Sequence, residues 1–384
     1  MRHIAVLTGK RGGYGAMKPM LRLLDNDPMF RLSIIVTDQH VNPQFGSTIE
    51  EVQRDFFVAG QVDMRQEGGS PRDRAKALGV CLTGIVDVLS DLDPDLLILY
   101  GDRGEVLAAA IASVTLRIPI AHIQGGDISG NVDEVMRHAL TKLSHLHFPS
   151  TEKSAARIIA MGEDPEKVFV VGDNHVDAIV ARGYTSSEQV RRKFRIADDE
   201  QPIIVLVHPE TTRQRDGYAD MTMLMNEVMR LGLRTIVVYP CSDHGYEDIV
   251  RAILDFTHNP LVSTHRNIDA PDFWGLMNIA KLMIGNSSAG LIETPYLGLH
   301  SINVGERQRG RDHASNVIHC EFEPSEIADA LTCVIVHDER TEGARGINQL
   351  YGDGRAGERI VEILRSIEIG PRLVDKRWRD GSST

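Results

Sequence analysis

The chain of 384 residues predicts an α/β fold of two doubly wound, Rossmann-like parallel sheets, and three observations carry that prediction. Short β-branched or Leu-rich runs alternate with segments of helical length and helical apolar spacing. A polar stretch over residues 185–201 interrupts the rhythm, which then restarts. The runs are almost continuously apolar, as strands buried on both faces of a parallel sheet are.

Taken in order, residues 4–7, 32–36, 96–100, 119–123 and 168–171 are the strands of the first half, and 17–24, 74–89, 105–116, 133–144 and 154–161 its helices. Strands at 203–207, 235–239, 261–264, 282–284 and 301–304, with helices at 221–231, 247–256, 273–280 and 289–296, make the second. The division falls between 175 and 200. It is set so that residues 1–175 form an N-terminal domain and 176–384 a C-terminal one, ending in a helix at 355–367 and a charged, Ser-rich tail from Val374 that is expected to fray. Pattern alone does not say which half the 355–367 helix joins.

Composition excludes several classes of function. With 42% apolar residues, each half is large enough to bury its own core. Acidic residues outnumber basic ones by 54 to 42, for a formal charge of -12, so neither a broad nucleic-acid surface nor an anionic membrane is a partner, and an anionic ligand needs a local basic pocket. The cysteines at 81, 241, 320 and 333 form no C-x-x-C pair, which fits a reducing cytoplasm better than a zinc knuckle or a disulfide framework. The run at 4–7 is too short for a signal-peptide core, and no run approaches the ~18 apolar residues of a membrane span. The expectation is a soluble, cytoplasmic protein.

Loops at the carboxyl ends of parallel strands are where ligands bind. The first, Thr8-Gly9-Lys10-Arg11-Gly12-Gly13-Tyr14-Gly15, is rich enough in glycine to approach a phosphate that Arg11 would pair, although it reads equally as a flexible turn. After 96–100 comes Gly101-Asp102-Arg103-Gly104-Glu105, where Asp102 is either a helix cap or a working carboxylate. His122-Ile123-Gln124-Gly125-Gly126-Asp127 leads into a helix bearing Asp133, Glu134, Arg137, His138 and Lys142, with Asp133 and Arg137 spaced as i,i+4 partners. His138, His145 and His147 lack matching carboxylate or Cys spacing, so no metal is expected. In the second half, His208-Pro209-Glu210 puts an imidazole at a strand end, suited to proton transfer or to a structural bond. Gly285-Asn286-Ser287-Ser288 opens a helix whose free N–H groups suit a diphosphate, with Glu293 placed to hold ribose hydroxyls; a plain Ser-capped helix reads the same way. Arg307, Arg309 and Arg311 supply the basic pocket, and in an extended segment Arg307 and Arg311 share one side with Arg309 opposite.

These fragments, in this order from about Ile4 to Arg311, resemble the hydrolysing UDP-N-acetylglucosamine 2-epimerases, the sialic-acid and legionaminic-acid branch. The matching pieces are the Arg11 loop, Gly101-Asp102-Arg103-x-Glu105, His122-Ile123-x-Gly125-Gly126, Asp133-x-x-x-Arg137-His138, Lys142 through Phe148, His208-Pro209, Gly285-Asn286-Ser287-Ser288 and Asn303-x-Gly305-x-Arg307-Gln308-x-Gly310-Arg311. The resemblance implies a GT-B fold, two Rossmann-like domains facing a central cleft, with UDP across the second and the sugar toward the first. It implies a nucleotide-sugar substrate, no cofactor and no metal, and a homodimer or homotetramer.

By the same resemblance UDP is eliminated to leave a 2-acetamidoglucal, and water then adds to give N-acetylmannosamine. Asp102 and Asp133 match the catalytic carboxylates, with Arg103, Glu105, Arg137 and His138 around them; Ser287, Ser288 and Glu293 would hold phosphate and ribose, and Arg11, His208, Arg307 and Arg311 the diphosphate side. The family usually has Glu where this chain has Gln124 and an acid where it has Gly13. An amide cannot be an ionised base; Asp127, at a position where the resemblance also implies an acid, is the candidate to compensate. Two other readings stand beside the epimerase: a GT-B glycosyltransferase, which needs no Asp102/Asp133 pair, and a nucleotide-sugar binding protein with altered catalysis.

Overall fold

The computed structural model describes residues 1–43, 48–66, 68, 70–130, 132–210, 215–241, 243–336, 350–370 and 372–377. They contain two six-stranded sheets with parallel pairing throughout. The first holds β1 (Arg2–Thr8), β2 (Phe30–Thr37), β3 (Val58–Val62), β4 (Leu96–Tyr100), β5 (Ile120–Ile123) and β6 (Leu146–Phe148), in the order β3-β2-β1-β4-β5-β6. The second holds β7 (Ile203–Leu206), β8 (Thr235–Val238), β9 (Val262–His265), β10 (Leu282–Gly285), β11 (His300–Val304) and β12 (Val317–Cys320), in the order β12-β11-β10-β7-β8-β9. Each order reverses once, at β1/β4 and at β7/β10. There the loops leaving the carboxyl ends diverge and open a crevice.

Alternation of side chains divides each strand between two cores. Ile4, Val6 and Ile98 face Tyr14, Met17 and Met20 of helix Arg11–Asp25, while Ala5, Leu97 and Leu99 face Cys81, Ile85 and Leu89 of helix Pro71–Leu92. In the second sheet Ile203, Val205 and Ile284 pack with Leu224 and Met225, and Ile204 and Met283 with Trp274 and Met277. Each fully buried aliphatic side chain contributes about 1.5–3 kcal/mol. That burial on both faces is what holds the strand ends, and the loops they carry, in register.

Contacts divide the chain into a first unit, Met1–Asp127, Asp133–Asp177 and Tyr351–Thr384, and a second, Ile128–Val132 and Ala178–Leu350. The range 176–384 therefore fails at its far end. Helix Ala356–Ser366 packs on helix Arg11–Asp25, placing Ile360, Val361 and Leu364 in the first unit's core, and Asp177 accepts the N–H groups of Ala356 at 2.9 Å and Gly357 at 2.7 Å. The expectation of fraying from Val374 also fails for Lys376. Its ammonium donates to the carbonyls of Thr141, Lys142 and Ser144 at 3.0, 2.8 and 2.6 Å and pairs with Glu163 at 2.6 Å. The rest of the tail, from residue 378, lies outside the described residues.

Candidate functional site

Gly101, at φ 80°, turns the chain out of β4, and His122 on β5 fastens the turn by donating from Nε2 to the Gly101 carbonyl at 2.7 Å. Burial pushes the His122 pKa down to about 4, so this imidazole is a neutral strut. Asp102, next in the loop, accepts from Arg137 Nε at 3.0 Å and from its Nη2. Arg137 is buried in helix Asp133–Leu143 and donates from Nη1 to the Asp127 carbonyl at 2.8 Å. Burial opposes its charge, but Asp102, Asp127 and Asp133 together outweigh that and raise its pKa. The guanidinium thus holds Asp102, and the charge of Asp133, one turn earlier on the same helix, acts on it as well. Arg137 ties its helix to the loop after β4.

The neighbours are more committed than the sequence suggested. Asp127 accepts from Ser154 Oγ at 2.7 Å, so its carboxylate anchors helix Glu152–Ala160. Gln124 adopts φ 65° and donates from Nε2 to Asp173 at 2.5 Å. Glu105 is buried with Asp38, and both pair with Arg74, at 2.7 and 3.2 Å; Arg103 approaches Glu105 at 3.4 Å. Burial and then the charge of Glu105 push the Asp38 pKa up. Asp38, at φ 47°, follows β2 as Asp102 follows β4, and the strand-end rule would have found it.

The glycine-rich loop is also reassigned. Helix Arg11–Asp25 begins at Arg11, so Gly12, Gly13 and Gly15 belong to the helix and only Gly9 and Lys10 remain as loop. Arg11 pairs with Glu51 at 2.9 Å. His138 is exposed on its helix and faces Glu134 at 3.9 Å, away from the Asp102–Arg137 pair in its bonding. Lys142 bonds Glu163 at 2.6 Å, and His147 bonds the same carboxylate at 3.0 Å.

In the second unit, Gly285 closes β10 at φ 145°, where a Cβ would lie 1.9 Å from the Leu206 carbonyl oxygen; only glycine fits. Asn286, fully buried, then clamps the loop after β7: its Oδ1 accepts from the His208 N–H at 2.7 Å and its Nδ2 donates to the His208 carbonyl at 2.9 Å. His208 Nδ1 accepts from the Cys241 N–H at 3.0 Å, which leaves the ring proton on Nε2 and makes that nitrogen a donor. The loop's continuation at Thr211 lies outside the described residues.

The basic segment is a turn, not an extended strand, which overturns the alternation argument. Arg309 N–H donates to Glu306 O at 2.9 Å and Arg311 N–H to Gln308 O at 3.1 Å. Arg307 reaches the Asn286 carbonyl at 3.2 Å and Gln308 reaches it at 2.9 Å, whereas Arg309 is exposed and pairs with Glu306 at 2.7 Å. Glu210 anchors the turn by accepting the N–H groups of Glu306 at 2.7 Å and Arg307 at 3.3 Å. Ser287 Oγ accepts from the Ala289 N–H at 3.4 Å at the start of a helix only four residues long, Ala289–Ile292, shorter than the 289–296 expected. Glu293 is buried and accepts from Trp274 Nε1 at 2.6 Å, a partner that sequence spacing did not show.

Comparison with known proteins identifies the family of the chain as a whole. The family model for UDP-N-acetylglucosamine 2-epimerase matches residues 22–365. The UDP-N,N'-diacetylbacillosamine 2-epimerase (hydrolyzing) of Legionella pneumophila is 32% identical over 98% of this chain and 99% of its own. The UDP-N-acetylglucosamine 2-epimerase of Neisseria meningitidis serogroup B is 31% identical over 99% of both. In fold, the crystal structure of UDP-GlcNAc 2-epimerase from Neisseria meningitidis bound to UDP-GlcNAc aligns with a TM-score of 0.80 at 21% identity, covering 96% of this chain and 100% of that one. The structure from Methanocaldococcus jannaschii in complex with UDP-GlcNAc and UDP gives 0.78 at 19% identity, over 95% and 99%. The two doubly wound sheets are those of a GT-B fold, and the chain belongs to the UDP-N-acetylglucosamine 2-epimerase family.

Proposed function

We propose that the protein is a hydrolysing 2-epimerase that releases UDP from a UDP-N-acetylhexosamine and yields the free sugar inverted at C2. The observation that carries this reading is the Asp102 carboxylate held by the buried Arg137 guanidinium at the carboxyl end of β4, with the charge of Asp133 acting on the same cation. Removing a proton from C2 and returning one to its opposite face needs acid–base groups held in fixed positions, and carboxylates tethered to a buried cation are so held. A glycosyltransferase needs a nucleotide cradle but no such pair. Ser287, Ser288, Glu293, Arg307 and Arg311 hold the nucleotide, Arg11 and His208 serve the diphosphate, to which His208 gives its Nε2–H as it departs, and Arg103 and Glu105 support the sugar side.

The test is a panel of UDP-, GDP- and CMP-sugars, including UDP-N-acetylglucosamine and UDP-N,N'-diacetylbacillosamine, followed by NMR without acceptor. Free nucleotide plus a C2-inverted sugar is expected. Line broadening with no turnover would favour a binding protein, and silence until an acceptor is added would favour a transferase.

Two predictions follow from the nucleotide side. Glu293→Ala weakens UDP binding by about 1–3 kcal/mol, the range for a lost hydrogen bond to a charged group; unchanged calorimetric affinity removes Glu293 from the site. Arg307→Ala weakens UDP binding, whereas Arg309→Ala leaves it within about twofold, because an exposed ion pair is worth only ~0–1 kcal/mol. Equal losses in the two variants would show that the turn does not separate their roles.

A further inference from the structure

Asp173 is completely buried one residue past Gly172, and its carboxylate is crowded with donors. Oδ2 accepts from Gln124 Nε2 at 2.5 Å and Ser150 Oγ at 3.0 Å; Oδ1 accepts from the His175 N–H at 3.0 Å and lies 2.9 Å from His175 Nδ1. Burial alone would raise the pKa of this acid. The bonds from His175 and Gln124 more than offset burial and leave it below the ordinary range. An ionised carboxylate at Nδ1 fixes the ring with its proton there and its lone pair on Nε2. Tyr100 Oη lies 3.0 Å from the same Nδ1, so that edge of the ring is filled, while about a fifth of the side chain, 19%, stays open to solvent.

Asp173 and Tyr100 bear on His175, and Asp177 lies further along helix Asn174–Val180, itself bonded to Ala356 and Gly357. Gln124 and Gly13 both border this cluster. A Glu at 124 would set a second carboxylate against Asp173, and two carboxylates that close do not both ionise. The amide instead donates and keeps Asp173 charged. Gly13 lies under the Tyr100 ring, where a Cβ would be 3.4 Å from Cδ1. Tyr100 ends β4 and Gln124 follows β5, the same strand ends that carry Asp102.

We propose that His175 accepts the C2 proton of the sugar nucleotide on Nε2, with Asp173 stabilising the imidazolium and Gln124 and Ser150 holding Asp173 in place; this rests on the epimerase reading above. The C2–H electron pair becomes the second C1–C2 bond, and the C1–O pair leaves on the nucleoside diphosphate. In the hydration, the carboxyl of Asp102 or Asp133 gives a proton to the opposite face of C2. Water supplies hydroxide to C1 and its remaining proton to that carboxyl, and His175 returns its proton to solvent.

The test uses the full chain and a UDP-N-acetylhexosamine that the wild type turns over. His175→Gln lowers kcat about a hundredfold or more, with KM within about twofold, and slows solvent deuterium entry at C2 in step. Asp173→Asn moves the acid limb of the kcat profile to lower pH, because an imidazolium without its anion loses its proton more easily. Nitrogen-15 NMR of the wild type shows neutral His175 protonated at Nδ1, a readout independent of whether either variant folds. The opposite tautomer, or undiminished turnover in a folded His175→Gln, overturns the role of His175 while leaving the epimerase standing. A wild type that releases no nucleotide from any UDP-sugar overturns the epimerase reading and this role with it.

Discussion

Asp102→Asn lowers kcat at least about a hundredfold on the UDP-sugar that the wild type turns over, while UDP affinity stays within about twofold. The asparagine keeps the shape of the side chain and one acceptor for Arg137, but it cannot exchange a proton, and it gives up the charge-assisted bonds that tie the loop after β4 to helix Asp133–Leu143. Solvent deuterium separates these effects. A variant that still washes deuterium into C2 at the wild-type rate would show Asp102 to be an anchor for Arg137 and not a proton carrier. Asp133→Asn is expected to behave alike, because its charge acts on the same guanidinium.

Arg74→Met has the largest expected effect on stability. Arg74 bridges two buried acids, Asp38 at 3.2 Å and Glu105 at 2.7 Å, and breaking a buried pair costs about 3–5 kcal/mol because the charges left behind have lost their water. For a unit of this size that is a fall in Tm of roughly 6–20 °C by calorimetry. The pH dependence has a definite sign. Burial and Glu105 already raise the Asp38 pKa, so its ionisation costs stability as pH rises through that value, and removing the cation enlarges the cost. The variant's Tm should therefore recover on acidification more than the wild type's does. A drop below about 2 °C would mean that Arg103, 3.4 Å from Glu105, carries the neutralisation alone.

How much of this was legible in the sequence depended on where each element sits in its sheet. The central strands announced themselves because neighbours on both sides and helices on both faces demand continuous apolar runs. The strands that were missed, β3, β6 and β12, all lie at sheet edges. Val-Ala-Gly-Gln-Val in β3 is partly exposed, and Leu-His-Phe in β6 is three residues long and interrupted by a histidine that serves Glu163. The run at 168–171 was read as a strand but makes only one bridge, Val168 to His147, because its next N–H groups go to His147 and Pro149 carbonyls beside the end of β6.

The site was legible as a set of loops and illegible as a set of partners. Asp102, Asp133 and Arg137 were each named, but only the fold could pair Asp102 with Arg137. Asp173 and His175 follow an apolar run just as Asp102 does, but in the sequence that run sits where the first domain ends, which hides the strand-end signal. Gln124 was read as a missing acid, when its amide is a donor to Asp173.

The return of helix Ala356–Ser366 to the first unit also sets a timetable for synthesis. Helix Arg11–Asp25, with Met17, Met20 and Leu21, leaves the ribosome early, but Ile360, Val361 and Leu364, which share its core, follow only after the whole stretch Ala178–Leu350 has been translated. At 5–20 residues per second that delay is roughly 9–35 s. Through it the nascent first half carries an uncovered apolar stripe on its opening helix, so chaperone occupancy measured on stalled chains should persist past residue 350 and fall once residues 356–366 emerge.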